Sequence, residues 1–282
     1  MSQLQHRLID YVRKDSLPHR FCVGCGCGTV LNVFLNAIDS LDLDPTQMVC
    51  VSGIGCSSWI PSPYFKSDTL HTTHGRPIAF ATGVKIMRPD MKVVAIAGDG
   101  DIAGIGGNHL IHAARRNIDL TVFMVNNMIY GMTGGQAAPT TPEGVKTAST
   151  PYRNIEPPFK VADLVVAAGA SYVSRWTTYH VFQLQKAMQD AMTRKGFSFI
   201  EIVSQCPENY GRRVGLRNGT SFLKKFKEQS VNISKAQTMS DDELQDKIVV
   251  GKLCDQSRPE FVTELHRLTK EQVEKLAMES ES

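Results

Sequence analysis

Lys92-Val93-Val94-Ala95-Ile96-Ala97-Gly98-Asp99-Gly100 is the stretch that decides the fold. A short apolar run bounded by turn residues reads as a strand, and it stops at a glycine-flanked aspartate. A helix over 107–117 follows. A second strand over 119–126, carrying Leu120, Thr121, Val122, Phe123, Met124 and Val125, ends at Asn126-Asn127. Strand, helix and strand in this order form a βαβ unit with two parallel strands.

The alternation extends both ways. Upstream lie a weak helical pattern over 3–14, a helix from Thr29 to Ile38 behind a Gly/Cys loop, a buried strand from Met48 to Val51 ending at Ser52-Gly53, and a helix over 76–87 stopped before Pro89. Downstream come a Gly/Pro/Thr-rich loop (131–158), a helix (160–168), a strand (171–175), a helix (178–195) and a strand (197–204). This pattern predicts an α/β protein with a doubly wound, mostly parallel sheet, whose ligands bind at the carboxyl ends of the strands.

Composition excludes several functions. The chain has 282 residues, 42% of them hydrophobic and 21% charged, which is ordinary for a globular protein. A net charge of +3 is too small to argue for nucleic acid, and the aromatics are not interleaved with basic runs. Met1–Ser16 lacks the apolar core of a signal peptide, and no apolar run approaches the ~18 residues of a membrane helix, so a cytoplasmic protein is expected. Of seven cysteines, Cys22, Cys25 and Cys27 crowd together, which points to metal or redox chemistry rather than disulfides.

Adjacent strands would set Asp99 beside Asn127. A hard dication such as Mg²⁺ takes a few protein oxygens and completes its shell from phosphate and water. A carboxylate, an amide oxygen and a nearby carbonyl suit it, and glycines around the aspartate let backbone approach a phosphate. The following helix is expected to point its N-terminus at that anion. The bland alternative is a tight turn and an unrelated loop.

GDG followed at this spacing by NN resembles the thiamine-diphosphate signature. That resemblance implies Mg²⁺ held by Asp99, Asn127 and the carbonyl of Ile129. The longer strings Gly98-Asp99-Gly100-Asp101, Gly106-Gly107-Asn108-His109, Ile129-Tyr130-Gly131-Met132-Thr133-Gly134-Gly135-Gln136, Gly53-Ile54-Gly55-Cys56-Ser57-Ser58 and His74-Gly75-Arg76 are similar to the beta subunit of 2-oxoacid:ferredoxin oxidoreductases. The resemblance covers about residues 17–210. It implies a cofactor site lined by Ile54, Gly55, Cys56, Ser57, His74, Gly75, Gly98, Asp99, Gly100, Asp101, Asn127, Ile129, Tyr130, Gly131, Met132 and Thr133.

Cys22 and Cys25 form a CxxC in a glycine-rich loop, Cys56 follows a strand, and Cys206 ends the last one. Four such thiolates suit zinc or a 4Fe–4S cluster, and spacing does not choose. The chemistry does: thiamine diphosphate stabilises the carbanion left by decarboxylation, and taking two electrons singly needs a one-electron acceptor, which zinc is not. The resemblance likewise implies one 4Fe–4S cluster on Cys22, Cys25, Cys56 and Cys206. Cys27 stands where the family commonly has histidine and is expected not to ligate. Cys50 and Cys254 are expected as small hydrophobes.

Two units are expected: a cofactor domain over 1–206 carrying the iron–sulfur site, and a C-terminal extension over 207–282 made of a basic loop, an amphipathic helix near 260–278 and an acidic end. The glutamate that activates thiamine is expected on an alpha subunit, leaving no complete catalytic set on this chain. A 2-oxoacid, coenzyme A and ferredoxin complete the implied partners, with 2-oxoglutarate the preferred substrate and branched-chain 2-oxoacids or pyruvate the alternatives. A non-redox thiamine enzyme half with structural zinc, and a zinc-stabilised nucleotide-binding module without turnover, are the rivals.

Overall fold

A computed structural model describes residues 6–280. Eight strands, β1 (Met48–Ser52), β2 (Asp68–His71), β3 (Lys92–Gly98), β4 (Thr121–Asn126), β5 (Tyr172–Thr177), β6 (Ser198–Val203), β7 (Ser230–Asn232) and β8 (Ile248–Asp255), make one sheet in the order β2-β1-β3-β4-β6-β5-β8-β7. The first six strands are mutually parallel. β8 runs antiparallel to β5.

Consecutive apolar residues in each central strand serve two cores, because successive side chains point to opposite faces. Val94, Ile96, Phe123 and Val125 pack under α1 (Gly26–Ser40). Val93, Ala95, Ala97, Val122 and Met124 pack on the other face, against α2 (Pro77–Met87), α3 (Gly107–Arg116) and α4 (Val161–Ala167). α5 (Val181–Thr193) joins α1 on the first face through Leu184 and Met188. The sheet is therefore doubly wound.

Four departures from the sequence reading have local causes. Residues 7–11 form only a 3-10 turn, Arg7–Tyr11, while residues 3–5 of the expected helix lie outside the described residues. β2 has the mixed run Asp-Thr-Leu-His and exists by pairing with β1, a signal the sequence pattern lacks. The expected basic loop contains α6 (Gly219–Gln229). Its Asn218 cap accepts from the Ser221 N–H at 2.8 Å, and its Phe222 and Phe226, one turn apart, are buried near Tyr210. β7 follows, and two single turns, α7 (Ile233–Ala236) and α8 (Asp241–Leu244), lead to β8. The stretch beyond Cys206 thus completes the sheet as well as supplying α9 (Phe261–Ser280), of which only Val262 is buried. Residues 281–282 of the expected acidic end lie outside the described residues.

Candidate active site

β3 and β4 pair with Gly98 opposite Val125, so Asp99 and Asn127 leave the sheet side by side. Fifteen of the sixteen residues expected at the cofactor line one cavity of about 300 Å³. The exception, Gly75, stands behind it and donates its N–H to Asp101. Gly100 lies so close to Tyr130 that a Cβ there would sit 2.0 Å from the ring, so only glycine lets Tyr130 cover this turn. α3 starts only at Gly107, after a kink at Gly104; the turn of residues 100–105, not α3, directly follows Asp99.

Asp99 is 2% exposed, and the Thr140 hydroxyl donates to its carboxylate. Burial pushes its carboxyl up to about 7. It is an anion short of counter-charge, which is the environment a dication relieves. Asn127 Oδ1 accepts from the Ile129 N–H at 3.1 Å, and Met128 between them takes a left-handed φ of +62°. Among the described residues no three His, Cys, Asp or Glu side chains gather tightly enough for one metal ion. A dication here would instead combine one carboxylate with amide and carbonyl oxygens and a diphosphate, which fits the residues present.

Asp101 is buried beside the cavity. Its Oδ1 lies 2.8 Å from His74 Nδ1, off the line of a hydrogen bond, and the Gly75 and Ile54 N–H groups stabilise its charged form. Burial raises its pKa, against the Gly75 N–H and His74. Neither this aspartate's reach to Gly75 nor the part of Thr140 was legible in the sequence; both are contacts between distant loops.

The loop cysteines converge on the same region. Cys25 closes a turn onto the Cys22 carbonyl at 3.0 Å, with Gly24 at φ +73°, and stands at the start of α1. The Gly26 N–H donates to the Gln205 carbonyl at 3.0 Å, stitching that turn to the chain just before Cys206. The sulfurs of Cys56 and Cys206 each lie 3.7 Å from the point where a Cβ on Gly131 would stand. Burial pushes the Cys56 thiol up to about 12, with Cys25, Cys206 and Cys22 adding to the shift. Cys206 and Cys22 are also raised, first by burial. As thiolates these groups would repel one another, which a bound cationic group relieves. Among the described residues no three of them gather tightly enough for a single ion, so any group they hold is larger than one ion. Cys27, set aside in the sequence, is buried among them: its hydrogen bond lowers Cys25 and raises Cys27. Cys50 is fully buried on β1 and Cys254 lies on β8.

A family model described as the thiamine pyrophosphate enzyme, C-terminal TPP binding domain, matches residues 53–202. The 2-oxoglutarate synthase subunit KorB of Methanocaldococcus jannaschii is 54% identical over 274 residues, covering 97% of this chain and 100% of that protein. The chain belongs to the beta subunits of the 2-oxoacid:ferredoxin oxidoreductases. The KorB of Methanothermobacter marburgensis is 49% identical over 98% of this chain and 96% of its own length. The 2-oxoacid:ferredoxin oxidoreductase beta subunit of Saccharolobus solfataricus is 41% identical over 69% of this chain and 67% of its own. A solved 2-oxoglutarate:ferredoxin oxidoreductase from Magnetococcus marinus, with 2-oxoglutarate, coenzyme A and succinyl-CoA bound, superposes with a TM-score of 0.84 at 31% identity, over 96% of this chain and 92% of that one. The beta subunit described here is therefore part of an oxidoreductase and carries its thiamine-diphosphate-binding domain. No helix among the described residues is long and apolar enough to cross a membrane.

Proposed function

We propose that this beta subunit, joined to an alpha subunit, oxidatively decarboxylates 2-oxoglutarate with coenzyme A and passes the electrons through one 4Fe–4S cluster to ferredoxin. The observation that carries the reading is Cys56: it lines the cofactor cavity and also belongs to the group of four thiols, so the two centres are neighbours. When bound, thiamine diphosphate supplies the carbanion-stabilising chemistry and the cluster the one-electron capacity.

The chain's own residues do the placing. Asp99, Asn127 and the Ile129 carbonyl hold Mg²⁺ on the diphosphate, with the Thr140 hydroxyl fixing Asp99. Tyr130 covers the turn at Gly100, and Ile54, Ile129 and Met132 give the cavity apolar walls that limit water. Asp101 lies against His74 at its edge. Cys22, Cys25, Cys56 and Cys206 ligate the cluster. Cys22 is exposed and Val23 is 94% exposed, which supports electron exit on that side. Glu208, which acts on Cys22, pairs with Arg212 at the head of the basic run. The activating glutamate comes from the alpha subunit in this reading.

The choice of 2-oxoglutarate rests on the names of the most similar relatives and of the bound neighbour. The test is kcat/KM of the reconstituted heteromer with a one-electron acceptor. Turnover of 2-oxoglutarate should exceed that of pyruvate and 2-oxoisovalerate by orders of magnitude, since a site built for a distal carboxylate rejects substrates lacking it. Equal turnover of pyruvate would end the substrate assignment.

A further inference from the structure

Behind the turn that follows β4 lies a buried charge that does not line the cavity. Glu201 interrupts the apolar run Phe199-Ile200-Glu201-Ile202-Val203 of β6 and is 4% exposed. A carboxylate in such a place needs a donor on each oxygen. Its Oε2 accepts from Arg175 Nε on β5 at 2.8 Å, and its Oε1 accepts from Asn126 Nδ2 at 2.8 Å. The second bond decides which way the Asn126 amide faces. Asn126 Oδ1 is left turned toward the chain, where it accepts from the Met128 N–H at 3.1 Å. That bond spans Asn127 and ends on the left-handed Met128, between the two residues assigned to Mg²⁺. The Thr141 hydroxyl holds the Met128 carbonyl at 2.6 Å from the other side. Arg175 itself donates to the Val249 carbonyl of β8 at 3.3 Å and faces Asp163 of α4 at 3.7 Å.

We infer that Glu201 is a positioning residue for the metal site: by orienting the Asn126 amide it sets the turn that presents Asn127 and the Ile129 carbonyl to Mg²⁺, and through Arg175 it anchors that turn to β8. The inference rests on the Mg²⁺ assignment proposed above. Stability alone does not account for the pair, because apolar residues of similar volume commonly replace a buried ion pair without loss. The relay also gives the strand contributed by the C-terminal stretch a connection to the cofactor end of the sheet.

Glu201→Gln keeps the shape but puts an amide NH₂ where one of two donors must be met, so the carboxylate can no longer serve both Asn126 and Arg175. The experiment uses the cofactor-stripped heteromer, titrated calorimetrically with Mg²⁺ at saturating thiamine diphosphate, beside the Mg²⁺ dependence of turnover. The variant should bind Mg²⁺ about tenfold more weakly, the scale seen when an outer partner of a metal ligand is lost. Its kcat should return near the wild-type value at high Mg²⁺, and its iron content should not change. Should E201Q not assemble, the double variant Arg175→Met with Glu201→Leu replaces the pair by apolar side chains and still leaves Asn126 without its acceptor; the same weakening is expected. Wild-type Mg²⁺ affinity in an assembled variant overturns the relay while the metal site stands. A wild-type protein indifferent to Mg²⁺ overturns the metal assignment and the relay with it.

Discussion

Where β3, β4 and β6 begin, Lys85 and Asp119 are buried together 2.9 Å apart. Lys85 also donates to the Pro89 and Met91 carbonyls, and Asp119 receives Lys195 at 3.2 Å and the Gly196 N–H at 3.1 Å. Glu260 joins them, accepting the Asp119 and Val262 N–H groups and so fixing the start of α9. Where β3 and β4 end, Asp99 has the Thr140 hydroxyl and backbone N–H donors, and Asp101 has backbone N–H donors and His74. Neither has a lysine or arginine partner among the described residues, both are raised by burial, and several thiols are crowded together. The two edges carry similar buried charges in opposite condition. The charge-paired edge holds the fold; the edge without lysine or arginine partners is poised for cations and an anionic cofactor, as functional sites are.

Three experiments break or sharpen that contrast. Lys85→Met leaves Asp119 short of its buried partner and should cost about 3–5 kcal/mol, lowering the melting temperature by about 10 °C. Thiamine diphosphate affinity of the protein that remains folded should not change. Asp99→Ala should do the reverse: Mg²⁺-dependent cofactor affinity falls by about 3 kcal/mol, on the order of a hundredfold, with no loss of melting temperature in the cofactor-free chain. A D99A protein that melts much lower would show that this edge is structural too.

The smallest effect is in acid. Burial alone would raise Asp119, but Lys85, Lys92 and Lys195 outweigh it and its pKa is lowered. A carboxyl lowered on folding contributes stability above its unfolded value, 3.8, that is lost as pH falls through the folded one. Denaturation curves from about pH 5 downward should show that loss in the wild type and less of it in K85M. Equal acid sensitivity would assign the loss to other carboxyls.

The cofactor end was far more legible than the base. Asp99 and Asn127 stand at strand ends beside glycines, and Cys22, Cys25, Cys56 and Cys206 sit in loops, so residue type and position coincided. Lys85 and Asp119 carry no such mark, since each becomes informative only when β3, β4 and α2 are packed. Glu201 did leave a trace, a lone acid inside an apolar strand, but its partners Arg175 and Asn126 are 26 and 75 residues away. β8 was hidden by its polar flanks: Ile248, Val249 and Val250 are apolar, yet Lys247, Lys252 and Asp255 surround them in a charged segment. The family's usual histidine at this position says nothing of Cys27, whose burial against Cys25 depends on where α1 starts.

The central claim is that one chain holds the thiamine site and, through Cys56, a cluster beside it. The most direct test is the iron and acid-labile sulfide content of the anaerobically purified heteromer, wild type against Cys206→Ala, which cancels any clusters on other subunits. The variant should lose about four iron and four sulfide per beta chain, with thiamine diphosphate still bound. Unchanged iron, or zinc lost in its place, would contradict it.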